Sequence, residues 1–161
     1  MALTIKTNNV DFNCKQCGYY VTSLRFVSGV NHRNHCPICL YSRHLDLFHA
    51  GDRLSACKGM MAPVGLTVKK SPDKYGHPYM GELMLVHQCV HCGTLSINRI
   101  AADDDPVSLL KVFECSLSEN PQLLAENKLG DINFLQGEDK YLLYSRLFGH
   151  VINPISISTC A

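Results

Sequence analysis

The sequence lacks several features that would assign it to a familiar class. No stretch approaches the roughly 18 consecutive apolar residues of a membrane-spanning helix, so we expect no membrane partner. The opening segment MALTIKTNNVDF has neither the basic flank nor the apolar run of a secretory signal, and we therefore expect a cytoplasmic protein. Neither an HExxH motif nor the H-x-E with P-C-x-x-C signature of zinc deaminases is present, which excludes two common classes of zinc enzyme.

Cysteine, in contrast, is abundant, with nine in a chain of 161 residues. The odd number and the reducing cytosol both argue against a disulfide framework and favour metal binding. Six of the nine form C-x-x-C pairs. These pairs are Cys14 with Cys17, Cys36 with Cys39, and Cys89 with Cys92.

Charge is distributed unevenly along the chain. Residues 1–100 carry eleven lysines and arginines against five acids, whereas residues 101–161 carry four against nine. Four thiolates on one Zn²⁺ have a net charge of −2, so part of the basic excess compensates the cysteines. The attraction of the first half for nucleic acid is therefore weaker than its formal charge indicates.

Local patterns predict a mixture of strands followed by helices. YYVTSLRFV at 19–27 predicts a strand or hairpin, and GLTVKK and ELMLVHQC predict two further strands. Asp105 fits a helix N-cap with Pro106 at the first helical position. Two more helices are predicted in NPQLLAENK, ended by Gly130, and in EDKYLLYSRLF, ended by Gly149.

The first two C-x-x-C pairs have the spacing of one tetrahedral zinc site. Each pair can present two sulfur atoms from a tight turn, and 18 residues between the pairs allow the turns to meet at one ion. Gly18 and Gly93 directly follow a second cysteine, where such a turn often needs a positive φ. The predicted ligands are Cys14, Cys17, Cys36 and Cys39.

The third pair needs two more ligands for a second site. Cys57, in the turn sequence CKG, is the natural third ligand for Cys89 and Cys92. The candidates for the fourth position are His44, His87, His91, Cys115 or an acidic group. We favour His44, because it lies just after the C-P-I-C pair, where the chain can cross from one site to the other.

A series of blocks in the first two thirds of the chain resembles the RNHCP domain family. The blocks are DFNCKQCG, RNHCPICLYSRHLD, GDRLSACKGMMAPVG, HQCVHCG and NRIAADDD, from about Asp11 to Asp105. The resemblance implies zinc-ribbon-like cysteine patterning and no assigned activity. The family pattern contains the histidine of RHLD and the cysteine of CKG, which implies His44 and Cys57 as ligands of the second site. Residues 118–161 have no counterpart in this resemblance.

The remaining polar residues near the cysteines allow more than one interpretation. His32 and His35 are expected either to hydrogen-bond to the metal ligands without contacting the metal, or to face solvent. Arg33 and Arg43 either compensate thiolate charge, which we favour, or contact a phosphate. Residues 103–105 are expected to start a helix, although three aspartates could also supply a base or bind a second metal.

Three functional classes follow from these features. In a binding module, aromatic residues would stack on bases beside cations. The residues in question are Tyr19, Tyr20, Phe26 and Tyr41, with Arg25, Arg33, Arg43 and Lys58. In a metal-dependent hydrolase, Cys57, Cys89 and Cys92 would leave the fourth position of the second zinc open to water. A redox role for C-P-I-C lacks the βαβ context of thioredoxin-like proteins.

We therefore predict a small α+β metal-stabilised domain that binds two Zn²⁺ ions. Zinc-ribbon-like β-hairpins are expected over residues 1–105, followed by a helical C-terminal extension over 106–161. The favoured function is recognition of RNA or another macromolecule, with a protein partner and an open-site hydrolase as alternatives. No feature indicates a small-molecule substrate.

Overall fold

The computed structural model describes residues 10–69, 81–119 and 132–149. In these ranges the chain forms an α+β fold with antiparallel strands and mostly C-terminal helices, as predicted. The helix predicted in NPQLLAENK lies outside the described residues. No helix in the described part of the chain has the length and apolarity that a bilayer crossing needs.

The N-terminal part forms a small two-stranded ribbon. Strand β1 (Phe12–Asn13) pairs antiparallel with β2 (Tyr20–Val21), and a one-turn helix α1 (Arg25–Ser28) follows. The strand predicted over 19–27 is therefore wrong beyond Val21. The carboxylate of Asp11 accepts hydrogen bonds from the amide and hydroxyl of Ser23, at 2.7 and 2.8 Å, and this turns the chain away from the ribbon.

A four-stranded antiparallel sheet forms the centre of the fold. Its strands lie in the order β3 (Ser42–Arg43), β4 (Met60–Lys69), β5 (Glu82–Cys89) and β6 (Leu95–Arg99). The predictions for GLTVKK, as far as Lys69, and for ELMLVHQC are confirmed by β4 and β5. Strand β6, which follows the third cysteine pair, was not predicted.

The first long helix begins and the last helix ends at the predicted residues, but the last helix starts at Lys140, two residues after the predicted Glu138. Helix α2 (Pro106–Glu119) starts where Asp105 Oδ2 accepts hydrogen bonds from the amide and hydroxyl of Ser108, at 2.9 and 2.7 Å. A short 3₁₀ turn (Gly137–Asp139) leads into α3 (Lys140–Phe148), which ends at Gly149 with a φ of 68°. Glycine adopts this left-handed conformation without a Cβ penalty.

Both helices contribute to the core on one face of the sheet. Leu66 of β4 lies opposite Leu85 of β5, so their side chains share that face. The buried cluster comprises Leu40, Leu66, Leu85, Leu109, Phe113, Leu135 and Leu143. Each such side chain contributes about 1.5–3 kcal/mol when fully buried. The division after residue 105 stays a prediction, but α2 and α3 share this core with the sheet.

Candidate metal centres

All three C-x-x-C pairs adopt the same backbone loop. The amide of the first cysteine donates to the carbonyl five residues later, and its own carbonyl accepts from the amide four residues later, with N···O distances of 2.8–3.0 Å. The residue after the second cysteine has a φ of 78° at Gly18, 61° at Leu40 and 74° at Gly93. The role predicted for the two glycines is confirmed, and Leu40 adopts the conformation without glycine.

The loops of the first two pairs meet and bring four sulfur atoms together. Their Sγ atoms all lie within 4.8 Å of one another. The distance from Cys14 Sγ to Cys39 Sγ is 3.5 Å, and that from Cys17 Sγ to Cys36 Sγ is 3.6 Å. The edge of a zinc–thiolate tetrahedron with bonds of about 2.3 Å is about 3.8 Å long. The spacing therefore matches a tetrahedral site.

The surroundings of this first tetrad shift the pKa values of three of its thiols, and not all in the same direction. Cys14 and Cys36 are buried with Val21, and burial raises the pKa of the Cys36 and Cys39 thiols. The backbone amide of Tyr19 instead lowers the pKa of Cys17. A bound cation would stabilise all four as thiolates, because metal binding displaces the thiol proton.

The third pair joins Cys57 and His44 in a second tetrad. Its four donor atoms also lie within 4.8 Å of one another. Cys57 Sγ is 3.7 Å from Cys89 Sγ, and Cys92 Sγ is 3.3 Å from His44 Nδ1. The corresponding edges of a zinc tetrahedron are about 3.8 Å for two sulfurs and about 3.6 Å for sulfur and nitrogen.

The sheet brings the members of the second tetrad together from distant positions in the chain. Ser42, Met61 and Cys89 lie opposite one another across β3, β4 and β5, so the ends of these strands meet. His44 follows β3, and its amide donates to the carbonyl of Gly59 at 2.9 Å. The chain thus crosses from the first tetrad to the second along β3, as the sequence suggested.

The other candidates for the fourth position are engaged elsewhere or lie apart. His87 is buried, and its Nε2 donates to the carbonyl of Leu40 at 2.7 Å. Its Nδ1 lies 2.9 Å from the side-chain Nδ2 of Asn98. Burial lowers the pKa of His87 to about 3, so its ring is neutral. His91 is exposed and Cys115 lies on α2, and neither belongs to a tetrad.

Together the two tetrads contain the eight residues proposed from the sequence. They are Cys14, Cys17, Cys36 and Cys39 in the first and His44, Cys57, Cys89 and Cys92 in the second. None of the described cysteines forms a disulfide bond. Sets of four thiolates, or three thiolates and an imidazole, suit metals that prefer soft ligands in tetrahedral geometry. The two clusters could therefore each bind a metal ion.

The pentapeptide RNHCP, residues 33–37, makes contacts in this region beyond those of Cys36 in the first tetrad. Arg33 is 2% exposed, and its guanidinium contacts Asp103 and Asp104, with Nη2 3.2 Å from Asp104 Oδ1. Its Nε donates to the carbonyl of His35 at 3.1 Å. The expectation that Arg33 compensates thiolates is wrong, because two carboxylates occupy its guanidinium.

Asp104 is the centre of this buried polar cluster. Its carboxylate lies 2.8 Å from His35 Nε2 and accepts the amide of Ala101 at 2.7 Å. The amide of Asp105 also donates to the carbonyl of Pro37 at 2.9 Å. These contacts of residues 33–37 therefore connect the loop before α2 to the loop that carries Cys36 and Cys39.

Comparison with known protein families agrees with these sequence blocks. The model of the RNHCP domain matches residues 9–110, which include both tetrads and the loop before α2. Comparisons with curated proteins and with solved structures found no match.

Proposed function

The chain belongs to the RNHCP domain family, and from this premise we propose that it is a zinc-binding recognition module whose partner is RNA. The geometry of the two tetrads supports zinc as the bound metal, and the exposed side chains of the N-terminal ribbon support RNA as the partner.

Zinc is the metal that the donor sets favour. Cys₄ and Cys₃His sets in tetrahedral arrangement are typical of structural zinc sites in small domains. We expect two ions per chain, one in each tetrad. Elemental analysis of protein purified under reducing conditions tests this, and one ion or none per chain would contradict it.

Both ions are proposed to be structural and not catalytic. A catalytic zinc keeps one coordination position open for water, whereas His44 Nδ1 lies at the fourth corner of the second tetrad. X-ray absorption at the zinc edge should give an average of seven sulfur ligands and one nitrogen per two ions. An oxygen ligand would instead support the hydrolase alternative.

Exposed aromatic residues on the ribbon and α1 support RNA as the partner. Tyr19 is 48% exposed, Tyr20 60% and Phe26 98%, and Arg25 and Lys58 are exposed cations. Aromatic rings beside cations stack on unpaired bases, which is the usual way that small domains recognise single-stranded RNA. Arg33 is removed from the predicted contact set, because it is buried and paired.

Fluorescence anisotropy with a labelled single-stranded RNA tests RNA as the partner. Replacing Tyr20 or Phe26 by alanine should weaken binding by about 1–3 kcal/mol for each base that loses its stacking partner. Tyr141→Ala, at an exposed aromatic residue on α3, is the matched control and should change nothing. Equal binding by all variants would contradict RNA recognition through the ribbon.

A protein partner is the second candidate, because Leu24 and Val27 are exposed beside Phe26 on and next to α1. Such an apolar surface also suits a protein interface. Crosslinking and co-purification from cell extract, with and without nuclease, separate the two. A partner that is retained after nuclease treatment would favour the protein interaction.

A further inference from the structure

A basic cavity lies between the N-terminal ribbon and the loop after β3. It has a volume of about 430 Å³, within the range of about 300–1,000 Å³ that is usual for ligand pockets. Its polar and charged lining includes Lys15, Asn34, Arg43 and Arg53. We call this space the basic cavity.

Two buried polar atoms with no hydrogen-bond partner belong to residues that line this cavity. They are Asn34 Oδ1 and Arg53 Nη1, and within the described ranges no other buried side-chain nitrogen or oxygen lacks a partner. Asn34 as a whole is 8% exposed. Buried polar groups are normally satisfied, so these two atoms are candidates for hydrogen bonds to a ligand, although Asn34 also lines neighbouring cavities.

The cations of the cavity differ in how far they are already engaged. Arg33 also lines the cavity, but Asp103 and Asp104 occupy its guanidinium. Arg43 donates one hydrogen bond, from Nη2 to the carbonyl of Lys58 at 2.9 Å, and keeps other donors. Arg53 forms an ion pair with Asp46, with 3.8 Å between Nη1 and Asp46 Oδ1, which is too long for a hydrogen bond. Lys15 is exposed.

Asp11, which also lines the basic cavity, does not neutralise the positive charge of its lysine and arginines. Asp11 accepts a hydrogen bond from the Tyr20 hydroxyl at 2.6 Å and two from Ser23. These bonds lower the pKa of Asp11, so its carboxylate is ionised and satisfied. Within the described residues, Lys15 and Arg43 thus have no carboxylate partner, and Arg53 has only its long ion pair with Asp46.

Aromatic side chains lie at the same place. Phe12 lines the cavity, and Tyr20 stands next to it through the bond to Asp11. A nucleotide combines the three properties that the lining requires, since it carries an anionic phosphate, a flat ring and N–H groups on the base edge. An acidic peptide supplies the anion but not the ring.

We propose that the basic cavity binds one nucleotide of single-stranded RNA. Lys15, Arg43 and Arg53 hold the phosphate, and Asn34 Oδ1 accepts an N–H of the base. The inference rests on the proposed function and deepens it, because it names the place where the RNA is held and the residues that select a base.

The test measures binding of fluorescein-labelled oligouridylate, oligoadenylate and oligocytidylate to the zinc-loaded full chain between about 50 and 200 mM salt. Lys15→Gln and Arg53→Gln should each lower the slope of log affinity against log salt, and their combined effect should approach about 0.7, the value for one lost phosphate contact on a single strand. Lys111→Gln, at an exposed lysine of α2 outside the cavity, is the matched control and should keep the slope.

Asn34→Ala tests the base contact separately. It should keep the salt slope, the zinc content and the thermal midpoint, because Asn34 Oδ1 has no partner in the protein to lose. It should, however, reduce the affinity differences among the three homopolymers. The exposed Lys15 keeps the proposal testable even if the buried Asn34 variant folds poorly.

The outcomes separate this inference from the proposed function. If the wild type binds RNA and the cavity variants keep its slope, the cavity assignment is wrong and RNA recognition stands. If the zinc-loaded wild type binds no RNA, both are wrong. Displacement of the RNA by polyglutamate, at equal concentration of ligand units, would overturn the assignment to RNA.

Discussion

Replacing Asp104 by alanine should destabilise the protein more than any other single change at the loop before α2. The carboxylate is fully buried, and it faces Arg33 Nη2, His35 Nε2 and the amide of Ala101. Its removal leaves a buried guanidinium with one carboxylate fewer and two buried donors without an acceptor.

Removing one partner of a buried ion pair lowers the free energy of unfolding by about 3–5 kcal/mol. The lower end applies to Asp104→Ala, because Arg33 keeps its contact with Asp103, whose side chain is 27% exposed. In a chain of this size, a loss of about 3 kcal/mol corresponds to a fall of about 6–12 °C in the thermal midpoint. Asp103→Ala should lower the free energy by about 1 kcal/mol, because water solvates that side.

Thermal unfolding at fixed protein and zinc concentration is the appropriate assay, since bound metal raises the apparent stability. Adding Arg33→Met to the Asp104→Ala variant should recover part of the loss, because it removes the buried charge that lost its partner. Equal falls in the midpoint for Asp103→Ala and Asp104→Ala would contradict a buried ion pair centred on Asp104. A further loss of stability when Arg33→Met is added to the Asp104 variant would contradict it as well.

Three further predictions concern the metal ligands and the start of α2. His44→Ala should lower both the zinc content and the thermal midpoint, whereas His91→Ala should leave both unchanged; two bound ions in the His44 variant would refute its role as a ligand. Cys36→Ser should give a poorly folded, metal-deficient chain, and a full metal content with a normal thermal transition would show that Cys36 is not a ligand. Asp105→Ala should lower the free energy of unfolding by about 1 kcal/mol, measured against Asp105→Ser, which keeps an N-cap oxygen.

Features that depend on neighbours in the chain could be predicted from the sequence. The C-x-x-C loops close through hydrogen bonds within six residues, and their positive φ at Gly18 and Gly93 follows from that closure. Asp105 and Pro106 start α2 by local capping. The division of the cysteine ligands into two sets could also be predicted from the sequence, because four ligands per ion and the spacing of the pairs leave few arrangements.

One local prediction failed because another interaction outweighed propensity, and one strand was missed. The aromatic and β-branched residues after Val21 favour a strand, yet Asp11 accepts hydrogen bonds from Ser23 and the chain turns into α1 instead. Strand β6 was missed although Leu95 and Ile97 alternate with Ser96 and Asn98, the pattern of a half-buried strand, and it pairs with β5 from Met84 opposite Arg99 to Gln88 opposite Leu95. Strand propensity reflects the neighbouring strand as much as the residues themselves.

Only the tertiary structure decided which distant polar groups meet. Arg33 and Asp104 are separated by 71 positions in the chain, and no local pattern distinguishes a buried pair from two solvated charges. His44 and His87 were both candidates for the second tetrad, and the sheet register turns His87 into the core and His44 toward the cysteines. The sequence by itself determined the chemistry of the ligands and the closure of their loops, because both are short-range. The choice among equivalent histidines and the pairing of buried charges required the fold, because contacts between distant residues arise only when the strands pair.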